Sequence, residues 1–416
     1  MTANARTPSF QRLQHFALIV ARVSVVGMAV SMPTSRAIFN ICALVMLLAW
    51  IAAGQWTERK ELFKGATVAW ASLMLFGVCA LSLMFTPSPD AENWGQLLVY
   101  SKLLYVPIIM SLMNEPTWLN RAWLALLTGL LLTLGVFVLD IWLEIPGTVT
   151  YGQNLAGYGV FYHHIAQGMG LTFIGAYGLH RAFLEPSSRK RALWTAVAVL
   201  TAALLIFVGR GRTGQLSVLA AYGLVTLMHL PRRWKIAGFV AAGLCFGAMI
   251  ALSGHMQERF ALAIREAKTF QQDGDSTSIG ARLKAWELSL DLIEQRPMTG
   301  HGVGSYRPLA YEHFSGSSIC GLGVCEQPHN QFLMTAVEAG LPGLLALLFF
   351  LAAPLFTGRR SWSEHDALVP AFIAIVVITA MFDSALSIRP EGYFTVTVLG
   401  LLMASRFRPD QPPQMR

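Results

Sequence analysis

The sequence predicts an all-α integral membrane protein, a bundle of about twelve transmembrane helices interrupted by one long polar loop. Three observations predict it. Hydrophobic residues make up 54% of the 416 residues and charged residues only 13%, too little polar surface for a soluble protein of this length. Apolar runs of roughly 17–25 residues, the length that crosses a bilayer, recur along the whole chain. Basic residues fall in short clusters between these runs, the pattern that orients a polytopic protein, so the net charge of +8 does not imply a nucleic-acid partner.

Spans are expected near 14–32, 35–53, 65–85, 96–113, 119–143, 160–184, 191–208, 212–229, 235–252, 330–356, 366–386 and 391–406. Arg6 and Arg12 precede the first apolar run as in a signal peptide, but no small-residue cleavage site follows, so that run is read as a retained helix. Loops after even-numbered spans hold Arg59, Lys60 and Lys64, then Arg189, Lys190 and Arg191, then Arg232, Arg233 and Lys235, then Arg359 and Arg360. The 86–95 loop, after an odd-numbered span, has only Asp90 and Glu92. The positive-inside rule then places both termini in the cytoplasm. Residues 253–329 follow the ninth span, so they form a large outward-facing loop, periplasmic in a Gram-negative cell, within a single polytopic domain, 1–416. Within that loop, "MQERFALAIREAKTF" (256–270) and "SIGARLKAWELSLDLIEQ" (278–295) have helical spacing of apolar residues. Ser278 is a plausible N-cap of the second, and Pro297 and Gly300 stop it.

Candidate functional residues lie on the outward side. "GRGRTGQ" (209–215) puts Arg210 and Arg212 in a glycine-rich turn. Snorkelling is one reading of such arginines. The other is phosphate binding, because glycine lets the backbone approach a ligand and guanidinium groups hold phosphate bidentately. Arg282 lies near the start of its helix, where a cation opposes the helix dipole. Trp286, one turn on, either packs beneath it or anchors the helix at the interface. His329 heads the tenth span in "QPHNQFLMTAVEAGLPG" and is followed by Asn330. Histidine's ordinary titration near neutrality suits a general base. Arg36, Lys102 and Arg389 add further outward cations, and a ring of arginines with one lysine would hold a lipid-linked pyrophosphate.

Cys42, Cys79 and Cys245 lie in apolar runs and read as core residues, whereas Cys320 and Cys325 flank "GLGV" in the outward loop. A disulfide is the default there, and a zinc site with His313 or His329 lacks CxxC spacing. Asp273, Asp275 and Asp383 are scattered along the chain, so no metal site and no cofactor is expected.

Three stretches together resemble the O-antigen ligase and polymerase superfamily of bacterial membrane glycosyltransferases. They are "VGRGRTGQLSVLA", "ARLKAWELSLDLIEQRPMTGHGVGSY" and "HNQFLMTAVEAGLPG", in the family's order between residues 208 and 343. The resemblance implies a GT-C-type enzyme that uses an undecaprenyl-pyrophosphate-linked glycan as donor. It carries catalytic roles to Arg212, Arg282 and His329; Asn330 and Trp286, beside them, are expected to contact substrate. Arg210 departs from relatives that have Ser or Gly near there; it is either a second phosphate ligand or turned away. The implied activity is an O-antigen ligase, transferring O-antigen to a sugar hydroxyl of lipid A–core in lipopolysaccharide biosynthesis, without metal and with inversion. The alternatives are an O-antigen polymerase and a protein O-oligosaccharyltransferase of the same superfamily. A lipid-linked oligosaccharide transporter is a further class, but it would need cations through the depth of the membrane.

Overall fold

The structure is a computed structural model that describes residues 8–86, 89–143, 159–209, 211–252, 257, 278–356 and 365–406. The described residues form helices and no strand. The helices are α1 (Pro8–Ser31), α2 (Arg36–Ala53), α3 (Trp56–Phe63), α4 (Thr67–Ser82), α5 (Ala91–Tyr100), α6 (Tyr105–Leu112), α7 (Pro116–Leu143) and α8 (His164–Leu184). They continue with α9 (Ser188–Ala203), α10 (Arg212–His229), α11 (Lys235–Leu252), α12 (Ser278–Gln295), α13 (Tyr306–His313), α14 (Gln331–Phe356), α15 (Leu368–Phe382) and α16 (Arg389–Arg406). The helix expected at 256–270 lies outside the described residues.

Among the described residues, seven helical segments are long and apolar enough to cross a membrane, against about twelve expected spans. The expected runs at 160–184, 212–229 and 391–406 do form helices, but His, Gln, Arg and Glu side chains dilute their apolar character. The run at 366–386 yields a shorter apolar helix, Leu368–Phe382. The described residues are helical throughout their regular structure, and the chain is a multi-pass membrane protein.

Two spans are broken where the sequence removes a backbone donor. Pro107 cannot donate to the carbonyl of Leu103, and the expected 96–113 helix becomes α5, a 3-10 turn over Ser101–Leu104, and α6. The freed Leu103 carbonyl accepts from the Ser72 hydroxyl. In α14, Gly340 has φ 62° and Pro342 follows, so the helix kinks. The Glu338 carbonyl, which Pro342 cannot reach, accepts instead from Gly302 N–H at 2.9 Å. His301 N–H donates to Val337 O at 2.8 Å, and Leu341 N–H donates to Pro297 O at 2.8 Å. The glycine-rich loop after α12 thus straps onto the kink of α14. A side chain at Gly300, whose φ is 65°, would strike the Glu338 backbone at 2.5 Å, and one at Gly340 would strike Met298. Only glycine accepts both conditions.

α16 runs through the middle, buried from Pro390 to Arg406, and packs on α6 and α8. Around it α1 lies along α2 and α7, α8 against α9, α10 and α15, and α14 against α4 and α15. Charge is buried at both ends of α16. Arg406 pairs with Asp366 at 2.7 Å, and Glu391 pairs with His163 at 2.8 Å. The turns before α2, α5, α8 and α10, the chain between α12 and α14, and the turn between α15 and α16 gather at the Glu391 end. Contacts that fix this are Asn93 Nδ2 to Val303 O at 2.7 Å, Arg36 over the Tyr162 ring at 5.2 Å, and His329 to Asp383 at 3.3 Å.

Candidate active site

The ends of several helices converge on the site. α9 runs into a π turn over Leu204–Val208, a local widening that recurs at functional sites. Arg212 then opens α10, and Gly211 before it lies so close to the His164 ring that an added Cβ would sit 2.8 Å away. Arg210 lies outside the described residues. Ser278 is the first residue of α12, which carries Arg282 and Trp286. The Trp286 indole N–H donates to Pro328 O at 2.9 Å and so holds the residue before His329. That hydrogen bond lets Trp286 position the His329 segment.

His329 is one of two non-glycine residues with positive φ among the described residues, at 51°. Such a backbone is strained for a side chain, and it turns the imidazole back into the bundle end. Asn330 caps α14: its Oδ1 accepts from Phe332 N–H at 2.9 Å and Leu333 N–H at 3.1 Å, so its side chain is engaged by the helix. The His329 Nδ1 lies 3.3 Å from Asp383 Oδ1, with Asp383 only 1% exposed and His329 17% exposed. Asp383 is itself fixed, since its Oδ1 accepts from Ser384 N–H at 3.0 Å. Ser384 N–H also reaches Gln327 Oε1 at 3.2 Å, and Gln331 Oε1 accepts from Leu386 N–H at 2.7 Å. The segment bearing His329 and the turn bearing Asp383 are therefore clamped together on both sides.

Burial alone would raise the Asp383 pKa, but the hydrogen bond and charge of His329, with His163 nearby, hold it below the usual carboxylate value. An ionised Asp383 requires the proton of neutral His329 on Nδ1, leaving Nε2 as the acceptor. Nε2 faces Gly323, where an added Cβ would stand 3.7 Å away. Gly323 lies in the loop closed by the Cys320–Cys325 disulfide, whose Cα atoms are 5.0 Å apart.

Arg282 is half-buried; burial lowers its pKa, the Asp383 carboxylate opposes that, and Arg212 adds to the lowering. Two guanidinium groups and one carboxylate thus act on one another beside His329. Close like charges at the mouth of a membrane bundle favour an anionic ligand.

His163 caps α8, accepting from Ile165 N–H through Nδ1 at 3.3 Å while Nε2 meets Glu391. Burial disfavours its charged form, but Glu391 and Asp383 outweigh burial and raise its pKa. This corrects the expectation of scattered acids. Among the described residues, ligand atoms of His163, Asp383 and Glu391 all lie within 4.8 Å of one another. Two carboxylates and an imidazole are a donor set that a divalent cation accepts. Protein cations already act on the same carboxylates, Lys102 on Glu391 and Arg282 on Asp383.

The structure brings Arg212, Arg282 and His329 together, and sets Arg36 and Arg389 on one cavity and Lys102 and Arg389 on an adjoining one, neither of them lined by Arg212 or Arg282. Asp383 and the clamp glutamines, Gln327 and Gln331, escaped sequence reasoning. Their available signal was polarity at the mouths of apolar helices, where a buried acid needs a partner.

Residues 196–349 match the profile of the family described as O-antigen ligase. The chain is also similar to an uncharacterized protein of Haemophilus influenzae, 22% identical over 277 residues. That alignment covers 64% of this chain and 66% of the relative, so the chain spans just under two thirds of the relative's length. The matched residues include Arg212, Arg282 and His329, so the family match falls on the three sequence blocks that carry the resemblance.

Proposed function

We propose that the protein is an O-antigen ligase of the bacterial inner membrane, with a GT-C-type bundle and an active site facing the periplasm. It joins O-antigen from undecaprenyl pyrophosphate to a sugar hydroxyl of lipid A–core. The observation that carries the reading is the His329–Asp383 pair, clamped beside two arginines at one end of a membrane bundle.

The chemistry follows from those groups. His329 Nε2 takes the proton of the acceptor hydroxyl, and Asp383 stabilises the imidazolium that forms. The acceptor oxygen bonds to the anomeric carbon of the donor glycan as the bond from that carbon to the pyrophosphate oxygen breaks. The electron pair leaves with the lipid pyrophosphate, where Arg212 and Arg282 meet the developing negative charge. One displacement without a covalent intermediate inverts the anomeric centre. The cations Arg212 and Arg282 supply the electrostatic role a metal would otherwise fill.

The test mixes purified protein with lipid-linked O-antigen and rough lipopolysaccharide, without nucleotide or added metal. Transfer to the lipopolysaccharide core supports ligation. Elongation of the lipid-linked glycan alone would identify a polymerase instead.

A further inference from the structure

Beside the proposed catalytic pair, lined by Gln327 and Ser387 but not by Arg212 or Arg282, lies a cavity of about 600 Å³. α2, α5 and the start of α16 form its walls, with Gln327 and Ser387 on the side of the His329–Asp383 pair. Its cations differ in state. Arg307 is engaged by Glu92 at 3.3 Å and Glu326 at 2.9 Å. Arg36 and Arg389 make no ion pair and no side-chain hydrogen bond among the described residues. Gln96 lines the same wall, and its amide Nε2 has no partner there either.

Arg389 and Val99 are shared with an adjoining crevice of about 400 Å³ between α2, α5 and α16. Lys102 stands in this crevice, 2% exposed, its Nζ donating to Ile388 O at 2.8 Å. The far wall is Leu44 and Leu98, which are 58% and 71% exposed on the apolar outer faces of α2 and α5. A cationic chamber therefore opens sideways between apolar helix faces. A molecule suited to it has an anionic head at the end of the bundle and hydrocarbon that leaves between α2 and α5.

Resting on the ligase reading, we propose that this chamber is the acceptor subsite, holding a phosphate group of a phosphorylated glycolipid on Arg36 and Arg389 with its acyl chains passing Leu44 and Leu98. The transfer needs two lipid substrates, and the base stands between two separate cation clusters. Arg212 and Arg282 lie on the donor side. The paired arginines of the chamber remain for the acceptor, and guanidinium forks recognise phosphate bidentately.

Two measurements test this on the full-length protein in nanodiscs. In the first, native mass spectrometry follows retention of a defined phosphorylated lipid A–core, its dephosphorylated form, and polyprenyl pyrophosphate. The phosphorylated form is retained by the wild type, and retention drops about tenfold or more in R36Q and R389Q. The dephosphorylated form binds weakly to the wild type and is unaffected by either substitution. In the second, steady-state transfer in R36Q and R389Q shows KM for the acceptor raised by a similar factor, with KM for the donor unchanged. R36K and R389K, which keep charge without the fork, fall between. Unchanged acceptor retention, or polyprenyl pyrophosphate displaced instead, overturns the subsite. Retention as described in a protein that transfers to no acceptor supports the subsite and refutes the ligase reading, so the two failures are distinct.

Discussion

His329 and Asp383 lie 54 residues apart in sequence, yet their side chains meet at 3.3 Å, Nδ1 to Oδ1, at one end of the helical bundle. The contact orients the ring and leaves Nε2, on the Gly323 side, as the acceptor. His329→Ala should lower glycan transfer by about 10²–10⁴-fold, the usual contribution of general base catalysis. Its binding of lipid-linked donor, measured separately, should persist. Full transfer activity in this variant would remove the base assignment.

The same pair sets the sign of the pH response. Only the neutral imidazole accepts a proton, so transfer should fall as pH is lowered through the histidine's titration. Asp383 is held below the usual carboxylate value and stays ionised through that range. In Asp383→Asn the carboxylate no longer favours the imidazolium, so the acid limb should move to lower pH while the plateau rate drops. An acid limb in the same place as in the wild type would mean that Asp383 does not act through His329.

Arg212 and Arg282 interact with each other and, through Arg282, with Asp383. Replacing either with Lys keeps the charge and loses the bidentate fork, so transfer should drop by about 10²-fold. Near-wild-type rates in both Lys variants would make these arginines structural.

Chelation addresses the carboxylates. His163, Asp383 and Glu391 lie within 4.8 Å of one another, but Lys102 and Arg282 act on the same acids. EDTA should therefore leave the transfer rate unchanged. Loss of activity, restored by one particular cation, would place a metal on those three residues.

Orientation is open to chemical labelling. Ser315, in the chain between α13 and α14, is exposed at the end that bears the site, and Ser188 is exposed at the start of α9 at the other end. A cysteine at 315 should react with an impermeant reagent added outside, and one at 188 should be spared. The reverse pattern would refute a periplasmic site.

The sequence by itself determined the helical membrane architecture, the alternation of basic loops and the three blocks that bear Arg212, Arg282 and His329. Hydropathy and motif spacing are local properties, readable within a window of one helix. Helix breaks were half legible: Pro107 and Pro342 are visible in the chain, but what replaces their lost hydrogen bonds is not. Ser72 and the Gly302 N–H fill those places only after distant helices pack. The tertiary structure alone decided that Asp383 is the partner of His329, that Glu391 is the partner of His163, and that Trp286 and Asn330 hold backbone at the site. A charge at a helix mouth announces that it needs a partner. Which partner it finds depends on how the helices pack, and no local pattern encodes that.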